Sequence, residues 1–259
     1  MLIDAICRLA LKAGAKALDI YHTDFVVEEK GDASPVTEAD RAGEEIIIDG
    51  LQALAPQIPV LAEESASDGR IPALGDEFFL VDPLDGTKEF IKKTGEFTVN
   101  IALIRDKCPV LGVVYAPALA RLYAGSQNAG AWVAEVSKDN ALGDRQTIST
   151  RPSPQTKLVA VASRSHRSPE TDAYLAKLDI GDFAAAGSSL KFCLIAEGKA
   201  DIYPRFGRTM EWDTGAGQAV LEAAGGKVVT HPQGETLIYG KMERGFDNPF
   251  FVAWGADST

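Results

Sequence analysis

Two aspartates three residues apart, in Asp82-Pro83-Leu84-Asp85-Gly86-Thr87, directly follow the apolar run Phe78–Val81. A strand ending there puts both carboxylates at the carboxyl edge of a sheet, where ligands commonly bind. Pro83 fixes one backbone torsion and Gly86 permits an unusual one. The turn can therefore aim both side chains at one place, with the Leu84 carbonyl between them. Oxygen donors of this kind suit a hard cation such as Mg²⁺. Taken alone, the motif reads equally as a plain β-turn with two solvated aspartates. Glu63-Glu64 also follows a short apolar run, Val60-Leu61-Ala62, and alone it reads as a solvated pair. Trp212-Asp213 opens a helical stretch, where Asp213 could serve only as an N-cap. Asp40 stands three residues after Thr37, as the last residue of a capping box does. Together, the four features place carboxylate oxygen at the ends of rigid elements. They can supply a two- or three-metal site, in which ions about 3.5–4 Å apart activate a water and stabilise a leaving oxygen. Spacing along the chain does not by itself bring them together.

The elements that must position them are legible as patterns. Leu2, Ile6, Leu9, Ala13, Ala17 and Ile20 recur at helical spacing, and a second helix runs from the Thr37 cap to Pro56. Val60–Ala62 and Phe78–Val81 read as strands. Thr98–Ile104, Val110–Ala116, Leu119–Gly125 and Ala131–Val133 follow with short turns between them, which predicts antiparallel pairing. The stretch Val136–Thr156 is polar and holds Gly143, Pro152 and Pro154, so it marks a boundary between halves 1–150 and 151–259. Beyond it strands at Leu158–Ala162, Ala200–Tyr203, Val228-Val229 and Phe250–Trp254 alternate with helices at Pro169–Leu178, Ser188–Glu197 and Asp213–Ala224. Alternation of that kind predicts a layered α/β half.

Composition narrows the partners. The chain has 259 residues, 46% hydrophobic and 24% charged, as in soluble globular proteins of one large or two small domains. A net charge of -11 excludes a nucleic acid polymer as a bulk partner, because phosphate backbones are held by Lys and Arg. A small anionic substrate stays compatible, since captured cations would face it. Cys7, Cys108 and Cys193 form no C-x-x-C pair and read as reduced, buried thiols. Asp4 and Arg8 interrupt the first apolar stretch, unlike a signal peptide, and no apolar run approaches the ~18 residues of a membrane span. The expectation is a cytoplasmic protein with no integral membrane segment. Its oligomeric state is left open.

Four motifs, in order, resemble the inositol monophosphatase superfamily of lithium-sensitive, magnesium-dependent phosphatases. They are Ser34-Pro35-Val36-Thr37-Glu38-Ala39-Asp40, Ala62-Glu63-Glu64-Ser65, Val81-Asp82-Pro83-Leu84-Asp85-Gly86-Thr87 and Trp212-Asp213-Thr214-Gly215-Ala216-Gly217. Asp85–Ile91, Gly95–Asn100, Ser163–His166, Gly187–Cys193 and Ala200–Phe206 are most similar to the CysQ-type 3'(2'),5'-bisphosphate nucleotidase branch. The resemblance implies an αβαβα sandwich, with an antiparallel sheet in its first half and a mixed sheet in its second. It implies hydrolysis of 3'-phosphoadenosine 5'-phosphate to AMP and phosphate, linked to sulfate assimilation, by direct attack of a metal-activated water. Glu63, Asp82, Asp85, Asp213 and the Leu84 carbonyl would hold two or three Mg²⁺ ions. Thr87 and Asp40 would orient the water, and Glu64 would support a second one. His166, Ser188, Lys191 and Arg205 would contact the substrate, with Gly86, Thr87, Lys88 and Asp213 beside them. Lys30 would match the family's lysine ahead of the first motif. Inositol-cleaving relatives commonly carry a glutamate seven residues before the Trp-Asp aspartate. Phe206 stands there, and an apolar ring at that position would disfavour a polyol and tolerate a nucleoside. Some relatives suggest loose association with the cytoplasmic face of the inner membrane.

Three rivals stay in view. Asp-x-x-Asp-Gly-Thr resembles the haloacid dehalogenase signature, but that signature places its aspartates two apart. An inositol or sugar phosphatase of the same superfamily is the second rival. A nucleotide- or metal-binding sensor without turnover is the third.

Overall fold

The structure is a computed structural model and describes residues 1–29, 35–152, 156–162 and 168–256. Lys30 and His166 lie outside the described residues. Helix α1 (Leu2–Tyr21) buries the predicted stripe of Ile6, Ala13, Ala17 and Ile20. Strands β1 (Val27–Glu29) and β2 (Pro35–Thr37) pair antiparallel and lead into α2 (Glu38–Leu54). Both halves of the Thr37 capping box form. The Thr37 hydroxyl accepts from the Ala39 N–H at 3.2 Å, and Asp40 Oδ2 accepts from the Thr37 N–H at 2.8 Å.

Strand β3 (Val60–Ala62) runs into the short helix α3 (Glu63–Ser67), and β4 (Glu77–Asp85) turns through Gly86 into α4 (Thr87–Ile91). Strands β5 (Thr98–Arg105), β6 (Cys108–Ala116), β7 (Arg121–Ser126), β8 (Gly130–Glu135) and β9 (Gln146–Ile148) complete a seven-stranded sheet in chain order. Its pairing is parallel at β3–β4 and antiparallel at the other described pairs. The remaining elements are β10 (Leu158–Ala162), α5 (Pro169–Leu175), β11 (Ile180–Ala185), α6 (Leu190–Ala196), β12 (Ile202–Arg205), α7 (Gly215–Ala223), β13 (Lys227–Thr230) and β14 (Phe251–Trp254). Their strands form a mixed sheet in the order β11-β10-β12-β14-β13.

Alternation along each strand builds the layers, because successive side chains point to opposite faces. In β4, Phe79 and Val81 pack with Ile6, Ala10, Ile47 and Leu51 of α1 and α2. Phe78 and Leu80 pack the other way, with Phe192 of α6 and Val220 of α7. Those two helices also cover the inner face of the second sheet through Val161, Tyr203, Phe251 and Ala253. Leu175 of α5 covers its outer face against Ala160, Ile202 and Val252. The result is an αβαβα sandwich. Gly112 lets α7 lie close to β6, since a Cβ there would come within 2.4 Å of the Ala216 carbonyl oxygen.

Several local expectations shift. Strand β9 occupies part of the polar stretch 136–156, and β11 was absent from the pattern because it is an edge strand whose side chains are mostly exposed. Leu119 sits in a 3₁₀ turn, so β7 begins at Arg121. Cys7 and Cys193 are buried, Cys108 is half-buried, and burial pushes the Cys7 thiol up to about 12. Among the described residues, no helix is long and apolar enough to cross a membrane.

Candidate metal centre and cleft

Parallel pairing of β3 with β4, with Ala62 opposite Val81, carries both strands out of the sheet in one direction. Glu63, the first residue of α3, and Asp82, still within β4, therefore come side by side at that end of the sheet. Asp213 arrives from the turn ahead of α7. One carboxylate oxygen from each of Glu63, Asp82 and Asp213 lies within 4.8 Å of the other two. Asp82 is 1% exposed, while Glu63, Asp85 and Asp213 are half-buried. Each aspartate also braces its own turn. Asp82 Oδ1 accepts from the Leu84 N–H at 2.9 Å, and Asp213 Oδ2 accepts from the Met210 N–H at 2.9 Å. Asp213 is thus not the N-cap of α7, a position that Thr214 fills without a side-chain bond.

Asp85 joins the group from the last residue of β4. Its Oδ2 lies 3.5 Å from Asn100 Nδ2 and 3.3 Å from Ser189 Oγ. Burial is the main reason the Asp82 carboxyl is pushed well above its ordinary range, and repulsion from Glu63, Asp85 and Asp213 adds to it. Burial, then Asp85 and Glu63, push Asp213 up in the same way, against the Met210 N–H and Arg205. Burial raises Asp85 as well, and the Lys191 charge opposes it. Crowded carboxylates at the end of a sheet are a hard-oxygen donor set. The repulsion that favours a proton there also favours a divalent cation in its place, so these residues fit such an ion.

Thr87 Oγ1 donates to Asp40 Oδ1 at 3.2 Å and lies 3.4 Å from the Leu84 carbonyl oxygen. Asp40, 2% exposed, is fixed by the Thr37 N–H and by the Thr37 hydroxyl at 2.7 Å. Glu64 is buried beside Glu63. Sequence reasoning missed the residue that holds this corner. Glu44 on α2 is buried and accepts from the Glu64 N–H at 2.7 Å, the Ser65 N–H at 2.8 Å and the Ser65 hydroxyl at 2.6 Å. It caps the open end of α3, which no side chain of the helix's own N-cap satisfies. The available signal was its place on the stripe of Asp40, Ile47 and Leu51, where an unpaired glutamate would not be expected.

A cleft of about 330 Å³ opens over the cluster. Glu63, Asp85, Gly86, Thr87 and Lys88 from the first half of the chain line it together with Ser188, Lys191, Arg205 and Asp213 from the second. Gly86 has φ 94, and a Cβ there would fall 2.2 Å from Ser188 Oγ, so only glycine fits. The Ser188 hydroxyl sits 2.8 Å from the carbonyl oxygens of both Asp85 and Glu96, so it ties backbone segments together. Lys191 Nζ donates to the Ser188 carbonyl at 2.8 Å and lies 5.5 Å from the centre of the Tyr203 ring. Arg205 donates to the Arg208 carbonyl at 3.0 Å. Lys92 and Arg208 add charge to the lining that the sequence motifs did not single out.

Phe206 corrects one expectation. Its ring does not face the cleft. Tyr203 and Arg205 of β12 do, and alternation sends Ile202 and Phe206 to the opposite side. There Phe206 is buried, stacks on His231 at 4.7 Å and meets the edge of Tyr174 at 5.1 Å. Discrimination against a polyol therefore does not come from that ring.

Comparison with known proteins places this geometry. The profile of the inositol monophosphatase family matches residues 1–250. The chain is 46% identical over 252 residues to the 3'(2'),5'-bisphosphate nucleotidase CysQ of Shigella flexneri, covering 96% of this chain and 98% of that one. It is 35% identical to the protein of the same name from Aggregatibacter actinomycetemcomitans, covering 97% of this chain and 91% of that one. Among solved structures, CysQ from Bacteroides thetaiotaomicron, described as a bacterial member of the inositol monophosphatase family, superposes with a TM-score of 0.81. That pair shares 39% identity and covers 99% of this chain and 97% of that one.

Proposed function

The chain belongs to the inositol monophosphatase family, and from that premise we propose how its acidic cluster serves a 3'(2'),5'-bisphosphate nucleotidase. The activity is hydrolysis of a phosphomonoester on a small nucleoside bisphosphate, here read as 3'-phosphoadenosine 5'-phosphate giving AMP and phosphate. The meeting of Glu63, Asp82 and Asp213 within 4.8 Å carries the reading. With Asp85 and the Leu84 carbonyl, they would hold two or three Mg²⁺ ions. Bound Mg²⁺ supplies Lewis-acid activation of water and neutralises charge on the phosphoryl oxygens.

The remaining chemistry falls to side chains. The Thr87 hydroxyl faces the cleft with Asp40 behind it, so it can accept a hydrogen bond from the attacking water while donating to Asp40. Asp40 then draws the proton, and donors from Thr37 and Thr87 keep it oriented. Glu64, anchored through Glu44, would position a second water. No side chain becomes phosphorylated. Lys88, Lys191 and Arg205 would meet the second phosphate of the substrate, because ammonium and guanidinium groups are its natural partners. Gly86 and Ser188 shape the wall that this phosphate passes.

A phosphate-release panel tests the reading. With Mg²⁺ present, turnover is expected on 3'-phosphoadenosine 5'-phosphate well above that on inositol 1-phosphate or fructose 1,6-bisphosphate. Preference for either of the latter would overturn the substrate, and binding without release would overturn catalysis.

A further inference from the structure

We propose that Ser189, held by Asn100, is a positioning residue that locks the Asp213 turn to Asp85 and thereby sets the cation affinity of the cluster. This rests on the reading of the cluster as a cation site. The problem it solves is geometric. Asp85 ends a strand of the seven-stranded sheet, whereas Asp213 comes from the turn between β12 and α7. Two carboxylates drawn toward one ion repel each other, so the separation between their segments needs a fixed spacer.

Ser189 is that spacer. It is 1% exposed, at the N-cap of α6, yet its hydroxyl makes no cap bond to that helix. The hydroxyl lies instead 2.9 Å from the Asp213 carbonyl oxygen and 3.3 Å from Asp85 Oδ2. Its proton can turn to either acceptor, so one hydroxyl bridges the Asp213 turn and the Asp85 carboxylate. Asn100, also 1% exposed, donates through Nδ2 to Ser189 Oγ at 3.0 Å. Asn100 stands directly opposite Asp82 in the β4–β5 ladder, so the backbone fixes its place. One chain of contacts thus runs from β5 through Ser189 to the turn that carries Asp213. Removing the hydroxyl would take from the buried Asn100 amide its shorter contact, leave the Asp213 carbonyl without this donor and free that turn to move away from Asp85.

The test compares Ser189→Ala, Ser189→Thr and Ser189→Cys with the intact chain. Mn²⁺ binding to metal-stripped protein is followed by electron paramagnetic resonance, beside the Mg²⁺ dependence of phosphate release and melting in chelator. Ser189→Ala is expected to weaken Mn²⁺ binding by about 10–100-fold, the usual effect of losing a partner that orients a ligand. The Mg²⁺ half-saturation should rise with it, while KM for the nucleotide stays near that of the intact chain. Ser189→Thr, which keeps the hydroxyl, should restore binding. Should Ser189→Ala fail to fold, Ser189→Cys supplies a weak donor of similar size and should show the same loss. Unchanged Mn²⁺ affinity in a folded Ala or Cys variant overturns the positioning role. Absence of Mn²⁺ binding by the intact chain would instead overturn the cation site itself.

Discussion

Two groups of buried acids in this molecule, one at Asp201 and Glu211 and one at the cleft, are treated differently. Asp201 is fully buried and accepts from Arg151 at 2.9 and 2.7 Å and from the Val159 N–H at 2.7 Å. Glu211 is fully buried and takes Lys241 Nζ at 2.8 Å together with the Gly240 and Lys241 N–H groups at 2.7 and 2.8 Å. Asp82 is buried to the same degree, but the charges that move its carboxyl most are three other acids. Asp201 and Glu211, which hold the fold together, are thus each met by one of the chain's own cations. At the cleft the chain sets acids against one another, an arrangement that fits a divalent ion.

Breaking the cleft side should have the largest effect. Asp82→Asn keeps an acceptor for the Leu84 N–H but removes a charge from the cluster. Phosphate release is expected to fall by on the order of 10³-fold or more, about 4 kcal/mol upward. Melting in chelator should stay level or rise, because a repelled charge has gone. Turnover near that of the intact chain would erase the distinction between the two kinds of acid.

Breaking the paired side should do the reverse. Asp201→Ala strands Arg151 and the Val159 N–H. The guanidinium is 41% exposed, so water softens the loss, and a cost of about 3 kcal/mol is expected in denaturant unfolding. The Mg²⁺ half-saturation of the folded protein should not move.

Acidity sharpens the contrast next. Asp82, Asp85 and Asp213 have carboxyls raised above their unfolded values, so the fold binds more protons than the unfolded chain. Their contribution is fully present below the ordinary aspartate range and is lost as pH rises through the raised values. Metal-free protein should lose stability over that rise. Mg²⁺ at 100 times its dissociation constant should restore about 2.7 kcal/mol at neutral pH, and less in acid where protons compete. Equal stabilisation by Mg²⁺ at both pH values would count against cation binding at these groups.

The smallest effect concerns the support of Asp40. Thr37→Ala removes the capping hydroxyl and one donor to Asp40, and about 1 kcal/mol of stability should go with it. Turnover should drop more than this loss of stability alone explains, which phosphate release on fully folded protein would reveal.

The carboxylates were legible because each follows a recognisable signal. An apolar strand stops at Asp82, a capping box ends in Asp40, and Glu63 and Asp213 sit beside element boundaries. The partners that fix them were less visible. Glu44 looks like one more acid on an amphipathic helix until its place on the apolar stripe is counted. Asn100 and Ser189 are ordinary polar residues whose value depends on contacts 89 positions apart. Phe206 misled because its motif position was read without the alternation of β12, which turns it away from the cleft. The short helices α3 and α4 were missed, since five residues carry too little periodicity.

Crystals soaked in Mn²⁺ and measured at its absorption edge give the most direct check. Anomalous density is expected among Glu63, Asp82 and Asp213, at about 2.0–2.3 Å from their carboxylate oxygens. Density confined to surface acids, with none in the cleft, would contradict the convergence of these side chains on a metal.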